Sequence, residues 1–229
     1  MPNVQPFSDF ETARKNMVLG QLIPNRVLKS GILDAMGSVP RELFLPERLQ
    51  GLSYADEPVV IREGLFLFEP LIEALLLQCA DLKERDVVLN VRAGTGYTAA
   101  LLAKTARAVI ALEQDASLCE TAQDILVRLE TDNAAVLNMP AESGFPSQAP
   151  FDVIFIGGIV LRPYETLISQ LAEGGRMVYV EAKAGSSAAR AKKITKTNGV
   201  LSFVSEFDFT LSEDLRIPEY KKFVFEDVS

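Results

Sequence analysis

The 229-residue chain contains no histidine. That excludes Ser-His-Asp and Cys-His nucleophile systems, histidine-ligated zinc and any imidazole general base. It has only two cysteines, Cys79 and Cys119, far apart and without a CxxC. Met1 to Phe10 lacks the charged-then-apolar layout of a secretory signal, so both are expected to be reduced, buried small hydrophobes of a cytoplasmic protein. No apolar run approaches the ~18 residues needed to span a bilayer, and no membrane partner is expected. Positive charge is also scarce: 23 Lys and Arg against 31 Asp and Glu give a formal charge of −8. A surface this acidic repels phosphate backbones, which argues against nucleic acid as a partner. The one basic-rich stretch, Arg190 to Lys196, reads as a solvated helix face. What the chain has in quantity is hydrophobic residue, 48%, enough for a sizeable core.

Two textures divide the chain. Residues 1–82 read as a unit of helices and loops, and residues 83–229 as a ligand-binding α/β domain. In the first, Ser8-Asp9-Phe10-Glu11 is a capping-box pattern with Phe7 as a possible staple, and a second helix is expected from Asn25 to Met36. Pro40, Pro46 and Pro58 break the following segment into turns, and Pro70 to Cys79 reads as a helix opened by proline. In the second, short apolar runs alternate with helical patterns. Val87–Val91, Ala108–Leu112, Ala134–Leu137, Phe151–Ile156 and Arg176–Val180 read as strands, and Tyr97–Ala106, Ala116–Leu129 and Arg162–Leu171 as helices. Strands buried on both faces and separated by helices imply a parallel sheet of right-handed βαβ units. Val200–Asp208 and Lys221–Phe225 read as a last, antiparallel pair, because the link between them is too short for a helical crossover.

The first of these strands runs through Asn90, Val91, Arg92 and Ala93 into Gly94-Thr95-Gly96-Tyr97 and then a helix. A glycine-rich strand-to-helix turn aims backbone N–H groups at a ligand. The second strand ends at Glu113, 23 residues after Asn90 (113 − 90), where an acid can accept from both hydroxyls of a ribose. Together these features point to a nucleotide-type ligand. Gly94-x-Gly96-x-x-Ala99 also fits the dinucleotide fingerprint, so a nicotinamide oxidoreductase is the rival. Against it stand the 80 or so residues that precede the turn and the helix, Gly174-Gly175 turn and strand that follow, a habit of S-adenosylmethionine-dependent methyltransferases.

The sequence resembles the protein-L-isoaspartate O-methyltransferases through most of its length. Val27-Leu28, Ala35-Met36, Val39-Pro40-Arg41-Glu42-Leu43-Phe44, Pro46-Glu47 and Tyr54-Ala55-Asp56-Glu57-Pro58 follow that family's N-terminal pattern in order. The helix from Pro70, the Gly94-Thr95-Gly96-Tyr97 loop, Ala149-Pro150-Phe151-Asp152 and Gln170-Leu171 through Gly174-Gly175-Arg176 fit as well. The resemblance implies a Rossmann-like class I methyltransferase fold, with a seven-stranded, mostly parallel sheet whose last strand is antiparallel. It implies S-adenosyl-L-methionine as cofactor and a protein or peptide substrate whose damaged aspartyl carboxylate is methylated, in a monomer or weak dimer. Donor contacts are expected at Asn90, Arg92, Gly94, Gly96, Glu113, Gln114, Ala141, Glu142 and Gly157, and substrate-loop contacts at Phe66, Leu67, Phe68 and Glu69.

The departures fall on those same positions. The family has an acid where this chain has Asn90, a glycine where it has Arg92, and Thr-Ile-Ser-Gln where it has Phe66-Leu67-Phe68-Glu69. A guanidinium at ~5 Å from the donor sulfonium would cost about 3 kcal/mol at an effective dielectric near 20, unless it turns away. Phe66 and Phe68 either pack the loop onto the core or reshape the substrate pocket. The departures also allow a second reading, a non-catalytic family member that acts as a binding module. No single side chain is expected to be catalytic, since an isoaspartyl carboxylate is already ionised at pH 7.

Overall fold

The structure is a computed structural model describing residues 9–218. The chain begins with α1 (Phe10–Met17), capped by Asp9, whose side chain accepts from the Thr12 amide. The cap is therefore Asp9; Ser8 and Phe7 lie outside the described residues. One π-helical turn (Val18–Leu22) leads to α2 (Ser30–Ser38), which starts five residues later than the expected Asn25. Arg26, with φ 64°, stands in the left-handed region between them and keeps the helices apart. After two 3₁₀ turns come β1 (Val59–Arg62) and β2 (Leu65–Leu67), an antiparallel hairpin in a segment expected to be only loops and helices. Then α3 (Pro70–Ala80) starts with proline at its first position and ends at Asp81, which has φ 48°.

The sheet follows as β3 (Val87–Val91), α4 (Tyr97–Ala103), β4 (Ala108–Glu113), α5 (Ala116–Arg128), β5 (Ala134–Asn138) and β6 (Phe151–Val160). The short α6 (Glu165–Ser169), β7 (Leu171–Ala182), β8 (Ala188–Thr197) and β9 (Val200–Thr210) complete it. Strand order is β5-β4-β3-β6-β7-β8-β9, with β5 through β7 parallel and β8 antiparallel to both its neighbours. This is the class I methyltransferase arrangement expected from the sequence, with a closing antiparallel pair.

Three expectations need correcting. Arg190 to Lys196 lies in β8, not on a helix face: Lys192 pairs with Glu181 on β7 at 2.8 Å, Lys193 with Glu206 on β9, and Ala191 and Ile194 are buried. The antiparallel pair is accordingly β8–β9, and Lys221–Phe225 lies outside the described residues. The helix expected over Arg162–Leu171 is only α6, because Leu171 already pairs with Phe151 across the sheet.

Two hydrophobic clusters cover the faces of the sheet. One includes Met17, Met36, Phe44, Leu76, Tyr97 and Leu101 and joins the N-terminal helices to the sheet; the other centres on Leu89, Phe151, Ile154 and Met177. Arg176 fastens the end of α3 to β7. Its Nε donates to the Ala80 carbonyl at 2.6 Å, its Nη2 to the Asp81 carbonyl at 2.7 Å, and it pairs with the buried Asp86. It thereby partners carbonyls that a helix end leaves open.

Candidate functional site

Because β4 and β5 lie on one side of β3 and β6 on the other, the strand order reverses beside β3. Open α/β sheets bind ligands at such a point, outside the carboxyl ends of the strands. Three of the residues expected to hold the donor, Arg92, Glu113 and Gly157, stand there. Val91, the last residue of β3, is in register with Leu112 of β4 and Ile156 of β6, so Arg92, Glu113 and Gly157 all emerge at the same edge.

Glu113 is buried at 8% exposure. One carboxylate oxygen accepts from the Gly94 amide at 2.8 Å and the other from the Asp115 amide at 3.0 Å. Both bonds lock its rotamer at the turn, yet a carboxylate has about four acceptor positions, which leaves room for hydroxyl donors. The glycines divide their roles. Gly96 has φ 90°, and a Cβ there would stand 2.9 Å from the Ala122 Cβ, so this glycine lets α4 and α5 approach. Gly94 has φ 57° and lies under Leu65, whose Cδ1 would be 3.1 Å from an added Cβ; β2 thus reaches over the glycine turn.

Asn90 is fully buried. Its Nδ2 donates to the Phe155 carbonyl at 3.2 Å, tying β3 to β6, while its Oδ1 has no partner. Arg92 takes the left-handed conformation, φ 59°, which glycine adopts freely and which costs other residues about 1–2 kcal/mol. Its side chain turns neither to solvent nor to an acid. It lies across β6: Nη1 donates to the Ile159 carbonyl at 2.9 Å, and the guanidinium covers the place where a Cβ on Gly158 would be, at 3.7 Å. The Arg92 carbonyl would be only 2.4 Å from a Cβ on Gly157. Gly157 is therefore required by the close passage of the two strand ends.

Beyond Glu113 the remaining donor candidates separate. Gln114 is exposed, and its carbonyl accepts from Asn138 at 3.0 Å. Ala141 is buried in a 3₁₀ turn and Glu142 is exposed beside it, its carbonyl accepting from Thr166.

The substrate-loop candidates resolve more sharply. Phe68 is 5% exposed and stacks edge-on against Phe66, with centroids 5.0 Å apart, and against Phe209 of β9 at 5.9 Å. Leu67 is buried as well. The aromatic side chains thus pack the loop onto the core, and Glu69 stays half-buried. Burial pushes the Glu69 carboxyl above its ordinary range.

Sequence reasoning matched Arg41 only as part of an N-terminal pattern and gave it no role. It is fully buried, donates through Nη2 to the Phe68 carbonyl, and lies 4.9 Å from the centroid of the Tyr97 ring. Its Nε and Nη1 have no partners. The one side chain links the loop before α3 to the residue after Gly96. Glu73 lies in the same interior; burial raises its carboxyl pKa, partly offset by a 2.7 Å hydrogen bond from Thr98 and by Arg41. Burial also pushes the Tyr97 hydroxyl up to about 12. The signal that would have exposed Arg41 is the charged pair Arg41-Glu42 set between Val39 and the apolar Leu43-Phe44-Leu45.

A fixed acid at the end of β4, a glycine turn beneath Leu65 and an arginine over β6 place acceptors at one end of this edge and cationic donors at the other. Among the described residues, no helix is long and apolar enough to cross a membrane.

Comparison with known proteins agrees with this geometry. The family model described as Protein-L-isoaspartate(D-aspartate) O-methyltransferase matches residues 13–208. A Protein-L-isoaspartate O-methyltransferase 1 of Rhodopseudomonas palustris is 36% identical over 197 residues, 84% of this chain and 80% of the relative. One of Syntrophobacter fumaroxidans is 35% identical over 170 residues, 74% of this chain and 79% of the relative. Among solved structures, a protein-L-isoaspartate O-methyltransferase superposes with a TM-score of 0.75 at 25% identity, covering 89% of this chain and 67% of the other. A second, from Plasmodium falciparum and in complex with S-adenosyl-L-homocysteine, gives 0.69 at 21% identity over 89% and 97% of the two chains, a likeness of fold. Family model, relatives and topology agree: the chain belongs to the protein-L-isoaspartate(D-aspartate) O-methyltransferase family.

Proposed function

We propose that the protein is an S-adenosylmethionine-dependent carboxyl O-methyltransferase acting on isoaspartyl residues of proteins. The observation that carries this reading is the family match over residues 13–208, which spans the N-terminal segment, the glycine turn and Glu113 together. Nothing in the comparisons favours the non-catalytic alternative or a nicotinamide enzyme. In this reading residues 1–82 form the substrate-side unit and residues 83–229 the donor-side unit of a cytoplasmic protein that binds no nucleic acid and works as a monomer or weak dimer.

When bound, S-adenosylmethionine supplies an electrophilic methyl group on a positively charged sulfur. The protein's own task is positional. Glu113, fixed by the Gly94 and Asp115 amides, would accept from the ribose hydroxyls. Leu65 closes the glycine turn against water. Arg41 and the Phe66–Phe68–Phe209 cluster hold the loop backbone beside that turn, so that an acceptor peptide lies at a defined height above it. An acceptor carboxylate ionised at pH 7 needs no base, and alignment of oxygen, methyl and sulfur supplies ~7–11 kcal/mol of the barrier. That accounts for a reaction run without histidine.

Calorimetry tests the donor half. S-Adenosylhomocysteine is expected to bind, and Glu113→Ala to weaken it about 10- to 100-fold, the value of one or two charge-assisted hydrogen bonds. Transfer of a labelled methyl to an isoaspartyl peptide, and not to its aspartyl isomer, tests the acceptor half. No binding at millimolar ligand would refute the reading.

A further inference from the structure

Resting on the donor reading above, we propose that Arg92 is a carboxylate receptor at the strand-order reversal and holds the carboxylate of the donor's amino acid end. Four observations converge on it. The backbone is held at φ 59°, a conformation that a side-chain-bearing residue adopts only against strain, and this aims the side chain across β6 rather than outward. Gly157 and Gly158 provide the space: a side chain on the first would strike the Arg92 carbonyl, and one on the second would lie under the guanidinium. The guanidinium is anchored by a single bond, Nη1 to the Ile159 carbonyl, and among the described residues it makes no other side-chain hydrogen bond and no ion pair. Of five N–H donors, most remain for a ligand in the planar fork that suits a carboxylate.

The fourth observation concerns direction. Glu113 ends β4 and the guanidinium lies over β6, on opposite sides of β3. Strands are spaced ~4.8 Å apart, so the two charges flank a ligand path of about 10 Å. A donor whose ribose meets Glu113 extends its amino acid end toward Arg92. With Asn90 uncharged, this end of the site is cationic, and the carboxylate is the donor's only anionic group. Charge complementarity orients the molecule with that carboxylate on Arg92 and keeps its ammonium away. The alternative source of a carboxylate is the acceptor's isoaspartyl group, and the test separates the two.

Affinities are measured by calorimetry for S-adenosylhomocysteine and for S-adenosyl-3-thiopropylamine, which keeps the adenosyl group, sulfur and ammonium but lacks the carboxylate. The natural protein is expected to prefer the first by about 10- to 100-fold, the range for a hydrogen-bonded charge pair. In Arg92→Gly and Arg92→Gln the preference is expected to shrink to less than about threefold, with S-adenosyl-3-thiopropylamine binding little changed. Two variants are used because glycine relieves the backbone strain while glutamine keeps a polar, hydrogen-bonding side chain without charge. An unchanged preference in folded variants overturns the assignment while leaving the donor reading intact. So does a raised KM for isoaspartyl peptide with unchanged donor preference, which would give Arg92 to the acceptor. Tighter S-adenosylhomocysteine binding in Arg92→Gly would make Arg92 an obstruction and overturn it too. Failure of S-adenosylhomocysteine to bind any of the three proteins would overturn the donor reading and this proposal together.

Discussion

Replacing Phe68 by serine restores the small hydroxyl residue expected of the family at this position, yet it is expected to damage this protein. Phe68 is 5% exposed and contacts two other rings. Burying a phenylalanine removes at least ~150 Å² from water, which at ~25 cal/mol/Å² amounts to about 4 kcal/mol, an upper value because the unfolded chain is partly collapsed. Each edge-on ring pair adds about 0.5–1.5 kcal/mol. A buried serine hydroxyl without a partner adds a further cost, so Phe68→Ser is expected to lose about 3–5 kcal/mol, the range of large-to-small core substitutions. Urea unfolding at 25 °C gives the loss as a lower midpoint at constant slope. For a chain of this length it corresponds to roughly 6–20 °C in Tm, at 2–4 °C per kcal/mol. A double-mutant cycle with Phe209→Leu isolates the contact across to β9, with expected coupling of about 0.5–1.5 kcal/mol. A loss below about 1 kcal/mol would refute the packing role and return Phe68 to the substrate pocket.

Other perturbations follow from the same geometry. Gly96→Ala places a Cβ in the left-handed region and 2.9 Å from Ala122, with an expected loss of about 2–5 kcal/mol in urea unfolding. Gly157→Ala meets the Arg92 carbonyl at 2.4 Å; it is expected to lower stability and to weaken S-adenosylhomocysteine binding together, and loss of one without the other would separate the two strand ends. For Glu73, burial raises the folded-state carboxyl pKa above 4.5, so its contribution to stability is fully present below that pH and is lost as pH rises through the folded value. Glu73→Gln is expected to gain on the natural protein between pH 4.5 and neutrality in unfolding measured across that range, and parallel stability curves would refute this.

The parallel half of the sheet was legible because its signal is local. Val87–Val91 and its partners are continuous apolar runs separated by helical periods, and their bounds hold to within a residue or two for β3, β4 and β5. Strand β8 was not, for an identifiable reason. Ala189 and Ala191 face the core at period two, but a register shift between Ala191 and Lys192 moves the next buried side chain to Ile194. That slip breaks the alternation by which a strand is read, and the cations at 190, 192, 193 and 196 then imitate a charged helix face. Their actual environment, opposite Glu181, Glu206 and Asp208, depends on chain segments before and after the strand. The β1–β2 hairpin was missed because its strands are only four and three residues long.

For the site, the distinction lies between residue types and directions. Glu113 and the glycine turn were found by spacing, since a strand, a turn and a helix of ordinary length bring them together in any βαβ unit. The direction of Arg92 depends on features remote in sequence: the bare backbone of Gly157 and Gly158 and the carbonyl of Ile159 that accepts from it. A glycine replaced by arginine at a left-handed position therefore cannot be judged on its own strand. With bulk at 157 or 158 the same arginine would be driven outward, and the charge of the cleft would change without any alteration at position 92. The opposed glycines make the arginine tolerable, and the arginine in turn gives them a ligand to face.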